Sequence, residues 1–233
     1  MNVVIFRLND LKTIINDRSR CRRCNIVINW YDLIPILSFV FLRGRCRYCG
    51  DKISWQYPLI ELCTAIVFTA LYAVNGFSGA LFYYLLIYVI LIIVAGYDLL
   101  TQYVPEFFVW LALFLSLFGW YFGGFSIQNA IIGALIGGGV LAILVFVSKE
   151  KWMGSGDIKI GLILGLITGF PIAIFGLFAS FILGSVVGLI YVFTAKKSLK
   201  SSLPFAPFLI SASFIAIIYG KQIVDWYLGK VFF

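Results

Sequence analysis

The chain is dominated by seven apolar runs separated by short gaps, and this pattern limits the folds open to it. Each run approaches the about 20 residues that a helix needs to cross the hydrocarbon core of a bilayer. The predicted spans are roughly 58–75, 80–98, 105–122, 127–147, 157–169, 171–194 and 204–220. Hydrophobic residues make up 62% of the chain and charged residues 12%, whereas a globular domain carries about 25% charge. We therefore predict an all-α, polytopic transmembrane helical bundle of about seven spans.

The basic residues are distributed unevenly, and their distribution predicts the topology. Ten of the 18 Lys and Arg lie in the first 60 residues. Five more fall in gaps on the same side: Lys149, Lys151, Lys196, Lys197 and Lys200. Lys221 and Lys230 fall on the other side. Because basic loops stay in the cytoplasm, we predict a cytoplasmic segment 1–57 and a transmembrane domain 58–233. The net charge of +8 is then explained by the topology of a protein whose partner is the lipid bilayer. No nucleic-acid partner is expected.

Histidine is absent from the sequence, and its absence narrows the possible chemistry. Ser-His-Asp and Cys-His catalysis both need an imidazole, and HExxH zinc proteolysis needs two. Any hydrolysis must therefore use carboxylates, a Ser/Lys pair or a rarer arrangement.

Four cysteines of the N-terminal segment form two CxxC pairs, Cys21 with Cys24 and Cys46 with Cys49. Two such pairs can surround one tetrahedral ion, and cytoplasmic thiols stay reduced, which favours metal over disulfides. We interpret the four as a structural zinc site, because a site filled by four protein ligands is closed to catalysis. Redox pairs or cysteines without a shared role are the alternatives. Cys63, inside the first span, is interpreted as a small packing side chain.

Two acidic residues fall where predicted spans begin or end. Asp98 ends the second span and Asp157 opens the fifth, and the topology puts both at cytoplasmic ends. A carboxylate at membrane depth is costly and marks a functional site by default. Two such groups close together share a proton, so one can activate water while the other polarises a carbonyl. We interpret the two as a catalytic dyad; the alternative is that each caps a helix end.

Residues around Asp157 supply candidate supporting groups. Gly154 and Gly156 would allow close backbone approach, and Lys159 would balance the charge of the acids. Ser155 and Lys159 are four residues apart and offer a Ser/Lys pair as a rival catalytic arrangement.

At several places the sequence resembles that of the type IV prepilin peptidases. The hexapeptide that contains Asp157 matches their GxGDxK signature, and Asp98 occupies the place of their other catalytic aspartate. The remaining matches lie at 30–38, 42–50, 53–54, 57–61 and 104–106. GxGD alone is moderately specific, but with the two CxxC pairs and the Leu-Arg-Gly-Arg-Cys stretch it is highly specific. The resemblance covers nearly the whole chain.

The resemblance implies a membrane aspartic endopeptidase with Asp98 and Asp157 as its catalytic pair. Such enzymes cut the basic leader from type IV prepilins and pseudopilins, just after a glycine, at the cytoplasmic face of the bacterial inner membrane. They serve type IV pili, type II secretion and competence. Many also N-methylate the new terminus with S-adenosylmethionine, an activity associated with the cysteine-containing loop.

Two departures from the family pattern accompany the resemblance. Residues 2–8 match the text that follows the first transmembrane helix of the family, which has eight spans against the seven counted here. Glu106 stands where the family usually has Asp, and a helix N-terminal acid beside Pro105 accounts for it. Two alternatives therefore stay open: a non-proteolytic transporter or scaffold with a proton path, and a methyltransferase-only member that has lost the first helix. The presence of both aspartates argues against the second.

Overall fold

The computed structural model describes residues 2–7, 18–195 and 203–231, and within these ranges the regular secondary structure is helical. The chain divides into two compact units, Met1–Thr69 and Ala70–Phe233. Four of the basic residues used to predict the topology, Lys12, Lys196, Lys197 and Lys200, lie outside the described ranges.

The first unit contains short helices and the start of a long one. Its elements are α1 (Asn2–Arg7), a 3-10 helix (Trp30–Leu33), α2 (Leu37–Phe41) and the first two-thirds of α3 (Gln56–Asn75). The predicted boundary between the polar segment and the transmembrane domain lies at residues 57 and 58, in the first turn of α3. The boundary between the two compact units falls later in the same helix, after Thr69.

The described residues of the second unit form seven further helices. They are α4 (Gly79–Thr101), α5 (Glu106–Ser116), α6 (Gly119–Gly123), α7 (Ile127–Ser148), α8 (Ser155–Thr168), α9 (Ile172–Ala195) and α10 (Ala206–Val231). Side-chain caps fix two helix starts, since Ser78 accepts a hydrogen bond from the Leu81 N–H at 3.3 Å and Ser126 from the Asn129 N–H at 3.2 Å. Both are standard N-cap hydrogen bonds.

Five of the described helices, α3, α4, α7, α9 and α10, are long and apolar enough to cross a membrane. They coincide with five of the seven predicted spans, and the prediction of an all-α polytopic membrane protein is confirmed.

The other two predicted spans are not among these five long helices. The third is divided into α5 and α6, because the chain turns at Leu117 and Phe118. Gly119 then lies directly on the backbone of α8, where an added Cβ would stand 2.9 Å from the Ile167 Cα. The fifth span is α8, a helix of only 14 residues.

Helix α8 lies at the centre of the second unit, where it packs against α5, α6, α7, α9 and α10. Its contact with α7 depends on two pairs of glycines that face each other, Gly133 with Gly165 and Gly137 with Gly161. A Cβ added to Gly133 would lie 2.6 Å from the Gly165 carbonyl oxygen, and one added to Gly161 would lie 2.6 Å from that of Gly137. Small residues of this kind let transmembrane helices approach until their backbones touch.

Candidate active site

The last turn of α4 positions Asp98. The residue is 4% exposed, and the helix ends just after it, at Gln102, which adopts a left-handed conformation and donates its backbone N–H to the Asp98 carbonyl at 2.8 Å. The carboxylate of Asp98 accepts a hydrogen bond from the backbone N–H of Ala206, the first residue of α10. The partial positive charge at the start of α10 therefore faces this acid.

The first turn of α8 positions Asp157, the third residue of the helix. Its carboxylate reaches back to the backbone N–H of Gly154, which occupies the N-cap position. This is the acidic half of a capping box. Asp157 is 6% exposed, so it too is a buried acid held at a helix N-terminus.

The structure brings Asp98 and Asp157 together. The carboxylate of Asp157 experiences the charge of Asp98 directly, although 58 intervening residues separate the two in sequence. Helices α5 and α10 each pack against both α4 and α8 and so fix the separation of the two acids. Among the described residues, neither carboxylate has a Lys or Arg nitrogen within 4 Å. The two acids are thus buried, repel each other and have no cation within 4 Å in the described part of the chain, and repulsion of this kind disfavours a state in which both carry a charge.

Lys159 follows Asp157 by two residues, and its side chain is bound to other groups. Its Nζ donates to both carboxylate oxygens of Glu106, at 2.7 and 2.6 Å, and lies 4.9 Å from the centre of the Trp110 ring. Trp110 Nε1 in turn donates to Glu106 Oε2 at 3.0 Å. The three residues join the start of α5 to the start of α8. No hydrogen bond joins Ser155 to Lys159 in the described part of the chain, so the rival Ser/Lys pair is not assembled here.

The two glycines of the motif differ in their surroundings. A Cβ added to Gly156 would lie 2.9 Å from Val104 Cγ2, so the connection between α4 and α5 packs on this glycine. Gly154 is exposed and has no atom within 4 Å of the position of an added Cβ. The packing of Val104 therefore explains why a glycine stands at position 156. The space beside Gly154 is open.

The four cysteines of the first unit converge into one cluster. Their sulfur atoms all lie within 4.8 Å of one another, and Cys21 Sγ is 3.7 Å from Cys49 Sγ. A tetrahedral ion with Zn–S bonds of about 2.3 Å holds its sulfurs about 3.8 Å apart. The cluster can therefore hold a metal ion, and its donor set suits zinc.

Tight turns of the backbone shape this cluster. Asn25 and Gly50 follow the two CxxC pairs with φ angles of 54° and 70°, and each donates its N–H to the first cysteine of its pair, at 3.0 and 2.9 Å. Backbone hydrogen bonds from Cys24 and Arg23 lower the pKa of the Cys21 thiol to about 6. This favours the thiolate, which is the form that binds metal.

Sequence reasoning missed three groups at the candidate site: the Ala206 N–H, the Val104 side chain and Trp110. Pro204 and Pro207 around Ala206 are a helix-start signal, and Trp110 lies one turn after Glu106. Local signals of this kind locate a helix start or a helix face. They do not reveal which distant residue will meet it.

Two protein-family models match the chain. The model described as the bacterial peptidase A24 N-terminal domain matches residues 1–75, and that of the type IV leader peptidase family matches residues 85–189. The first match contains the four-cysteine cluster and the second contains both buried aspartates.

Curated relatives match nearly the whole chain. A prepilin leader peptidase/N-methyltransferase of Bacillus subtilis is 34% identical over 93% of this chain and 87% of its own length. Proteins with the same description are 33% identical in Aeromonas hydrophila, over 91% of this chain and 74% of the relative, and 30% identical in Pseudomonas aeruginosa, over 90% and 74%. No solved structure matches the chain significantly.

Proposed function

The chain belongs to the type IV leader peptidase family, and from that membership we propose that it is a membrane aspartic endopeptidase that removes the leader peptide of prepilins and pseudopilins. The curated relatives carry both activities in their description, so we assign N-methylation of the new terminus to the same chain. S-adenosylmethionine supplies the methyl group. Family membership does not favour the transporter or scaffold, or the methyltransferase without protease.

The observation that supports the peptidase assignment is the pairing of two buried carboxylates, Asp98 and Asp157, which have no counter-ion among the residues that the structure describes. One proton shared between them gives the pair a base and an acid at the same time. The hydrogen bonds from the Ala206 and Gly154 N–H groups stabilise the remaining negative charge at two helix N-termini. We assign the catalytic role to this pair.

The reaction follows from these two protonation states. The ionised carboxylate takes a proton from a water molecule as the water oxygen attacks the carbonyl carbon of the scissile peptide, while the protonated carboxyl donates a hydrogen bond to the carbonyl oxygen. A proton from the pair then passes to the peptide nitrogen, and the C–N bond breaks to release a carboxylic acid and an amine. Acid and base are assigned here to the pair and not to either residue alone.

Gly154, Gly156 and Lys159 are proposed to support this site in different ways. Gly156 lets the segment that follows Asp98 pack against the start of α8. Lys159, held by Glu106, ties α5 to α8 without neutralising either aspartate. Gly154 leaves space beside Asp157 that a substrate backbone can enter.

The four-cysteine cluster is proposed to bind structural zinc through Cys21, Cys24, Cys46 and Cys49. The first unit has few buried apolar side chains, and a metal is a common substitute for a core in a small domain. We place the chain in the bacterial inner membrane, with the aspartates near the cytoplasmic face. This placement follows from the family and from the distribution of basic residues.

Co-expression with a prepilin tests the proposal. We expect the mass of the pilin N-terminus to show loss of the leader, with one added methyl group, when the wild-type chain is present. With Asp157→Asn the prepilin should keep its leader while the variant accumulates in the membrane. Removal of the leader by Asp157→Asn at the wild-type level would refute the assignment.

A further inference from the structure

A cavity of about 650 Å³ lies in the first unit, between the segment that follows α2 and the first turns of α3. Its walls are largely apolar and include Phe39, Val40, Trp55, Leu59 and Leu62. The volume falls in the range of about 300–1,000 Å³ that is usual for small-molecule sites. Neither the aspartate pair nor the cysteine cluster contributes to its lining.

Three cations, Arg43, Arg45 and Lys52, line the same cavity. The backbone places two of them at opposed positions, because Arg45 and Lys52 form an antiparallel bridge on either side of the second cysteine pair. Like charges directly opposite each other destabilise a strand pair. The equivalent bridge at the first cysteine pair joins Arg20 to Val27 and has no such repulsion.

No acidic side chain of the described ranges lies within 4 Å of these three cations. Asp51, the nearest acid in sequence, is paired with Arg23 at 3.1 Å. Asp32 is paired with Arg47, through contacts of 2.7 to 3.1 Å. The three cations are therefore not neutralised by an ion pair in the described part of the chain, and the carboxylate of Glu61 accepts a hydrogen bond at 2.8 Å from the N–H of Ile36, which lines the cavity.

The position of the cavity along α3 indicates its depth in the bilayer. Pro58, Leu59 and Leu62 lie in the first two turns of a helix that is long and apolar enough to cross a membrane. Trp55, just before this helix, is 71% exposed, and tryptophan is enriched where a helix passes from the headgroups into the hydrocarbon. The cavity thus opens at the level where lipid phosphates meet acyl chains.

We propose that this cavity binds an anionic phospholipid, with the phosphate on Arg43, Arg45 and Lys52 and an acyl chain along the apolar wall. Charge complementarity selects this occupant, since basic pockets beside transmembrane helices bind anionic headgroups. S-adenosylmethionine is a net cation, with a sulfonium and an amine against one carboxylate, and a basic leader peptide carries several cations, so the three basic residues disfavour both. The proposal does not depend on the peptidase assignment.

Native mass spectrometry of the purified full chain in detergent tests the proposal. The protein is offered phosphatidylglycerol or phosphatidylcholine with identical acyl chains. We expect phosphatidylglycerol to bind at least tenfold more tightly, and Arg43→Gln/Arg45→Gln/Lys52→Gln to remove this preference. The control Lys149→Gln/Lys151→Gln/Lys221→Gln removes the same number of charges from residues outside the cavity and should keep the preference.

A second variant tests the apolar wall with all three cations in place. Leu62→Trp fills part of the cavity, so it should weaken the binding of long-chain phosphatidylglycerol at least threefold and leave that of a dihexanoyl analogue unchanged. Equal binding of the two lipids to the wild type would overturn the proposal, as would an equal loss in the control triple variant. Complete displacement of the lipid by millimolar inorganic phosphate would mean that the cations form a site for free phosphate, and would also overturn it.

Discussion

Lys159 donates hydrogen bonds to both carboxylate oxygens of Glu106, at 2.7 and 2.6 Å, so this cation is engaged at the start of α5 and not by Asp157, two residues earlier in the chain. A lysine bound to one of the two proposed catalytic acids would hold that acid in its ionised form and prevent the pair from sharing a proton. We therefore expect Glu106 to support the proposed site by its hold on Lys159.

We predict that Glu106→Gln reduces leader cleavage roughly fivefold while the protein still accumulates. The ion pair is largely exposed at Glu106, and such pairs contribute at most about 1 kcal/mol to stability. The loss should therefore appear as a lower kcat, with little change in the melting temperature. The exchanged pair Glu106→Lys/Lys159→Glu should regain part of the activity. Equal activities of Glu106→Gln and the wild type would exclude a positioning role.

The glycine contacts between α7 and α8 predict a position-dependent effect on stability. Gly137→Ala places a methyl group against the Gly161 carbonyl oxygen and should lower the free energy of unfolding by about 1–3 kcal/mol or more. Gly139→Ala, on the same helix, meets no atom within 4 Å and should be neutral or stabilising by up to about 1 kcal/mol. Thermal unfolding in detergent compares the two. Equal destabilisation would show that helix propensity, and not backbone contact, controls these sites.

The open space beside Gly154 predicts an effect on substrate alone. Gly154→Ala should keep the wild-type melting temperature, because its backbone φ of −80° suits any residue and nothing lies within 4 Å of the new methyl group. If the substrate backbone occupies that space, KM should rise severalfold with a smaller change in kcat. Gly156→Ala should instead destabilise the protein, since its methyl group meets Val104. An unchanged KM for Gly154→Ala would show that substrate does not use this space.

The cysteine cluster predicts a dependence of stability on metal. Purified protein should contain about one zinc ion per chain by elemental analysis, and Cys46→Ser should lose it and unfold at lower temperature, because metal binding supplies folding free energy. Cys63→Ser provides a matched control, since Cys63 is not part of the cluster. A metal-free wild type of undiminished stability would contradict the zinc assignment.

Much of the fold follows from sequence, because hydropathy and length decide where a helix can cross a membrane. The division of the third predicted span does not, since its apolar run is continuous and the turn before Gly119 arises from contact with Leu166 and Ile167 of α8. The motif around Asp157 was also accessible from the sequence, and so was Asp98 as a second acid at the end of another predicted span. The partners of Lys159 and Asp98 were not, because Glu106 and Ala206 reach them only through the packing of α5 and α10.

The most direct test of the aspartate pair is the initial rate of prepilin cleavage by purified Asp98→Asn, Asp157→Asn and Asp225→Asn in lipid vesicles. Each change removes one carboxylate, but Asp225 is exposed near the end of α10 and serves as the control. Loss of a general acid or base costs about 10²–10⁴-fold in rate. We predict a loss of at least that size for Asp98→Asn and for Asp157→Asn, with wild-type activity for Asp225→Asn. Cleavage within tenfold of wild type by either Asp98→Asn or Asp157→Asn would contradict the account.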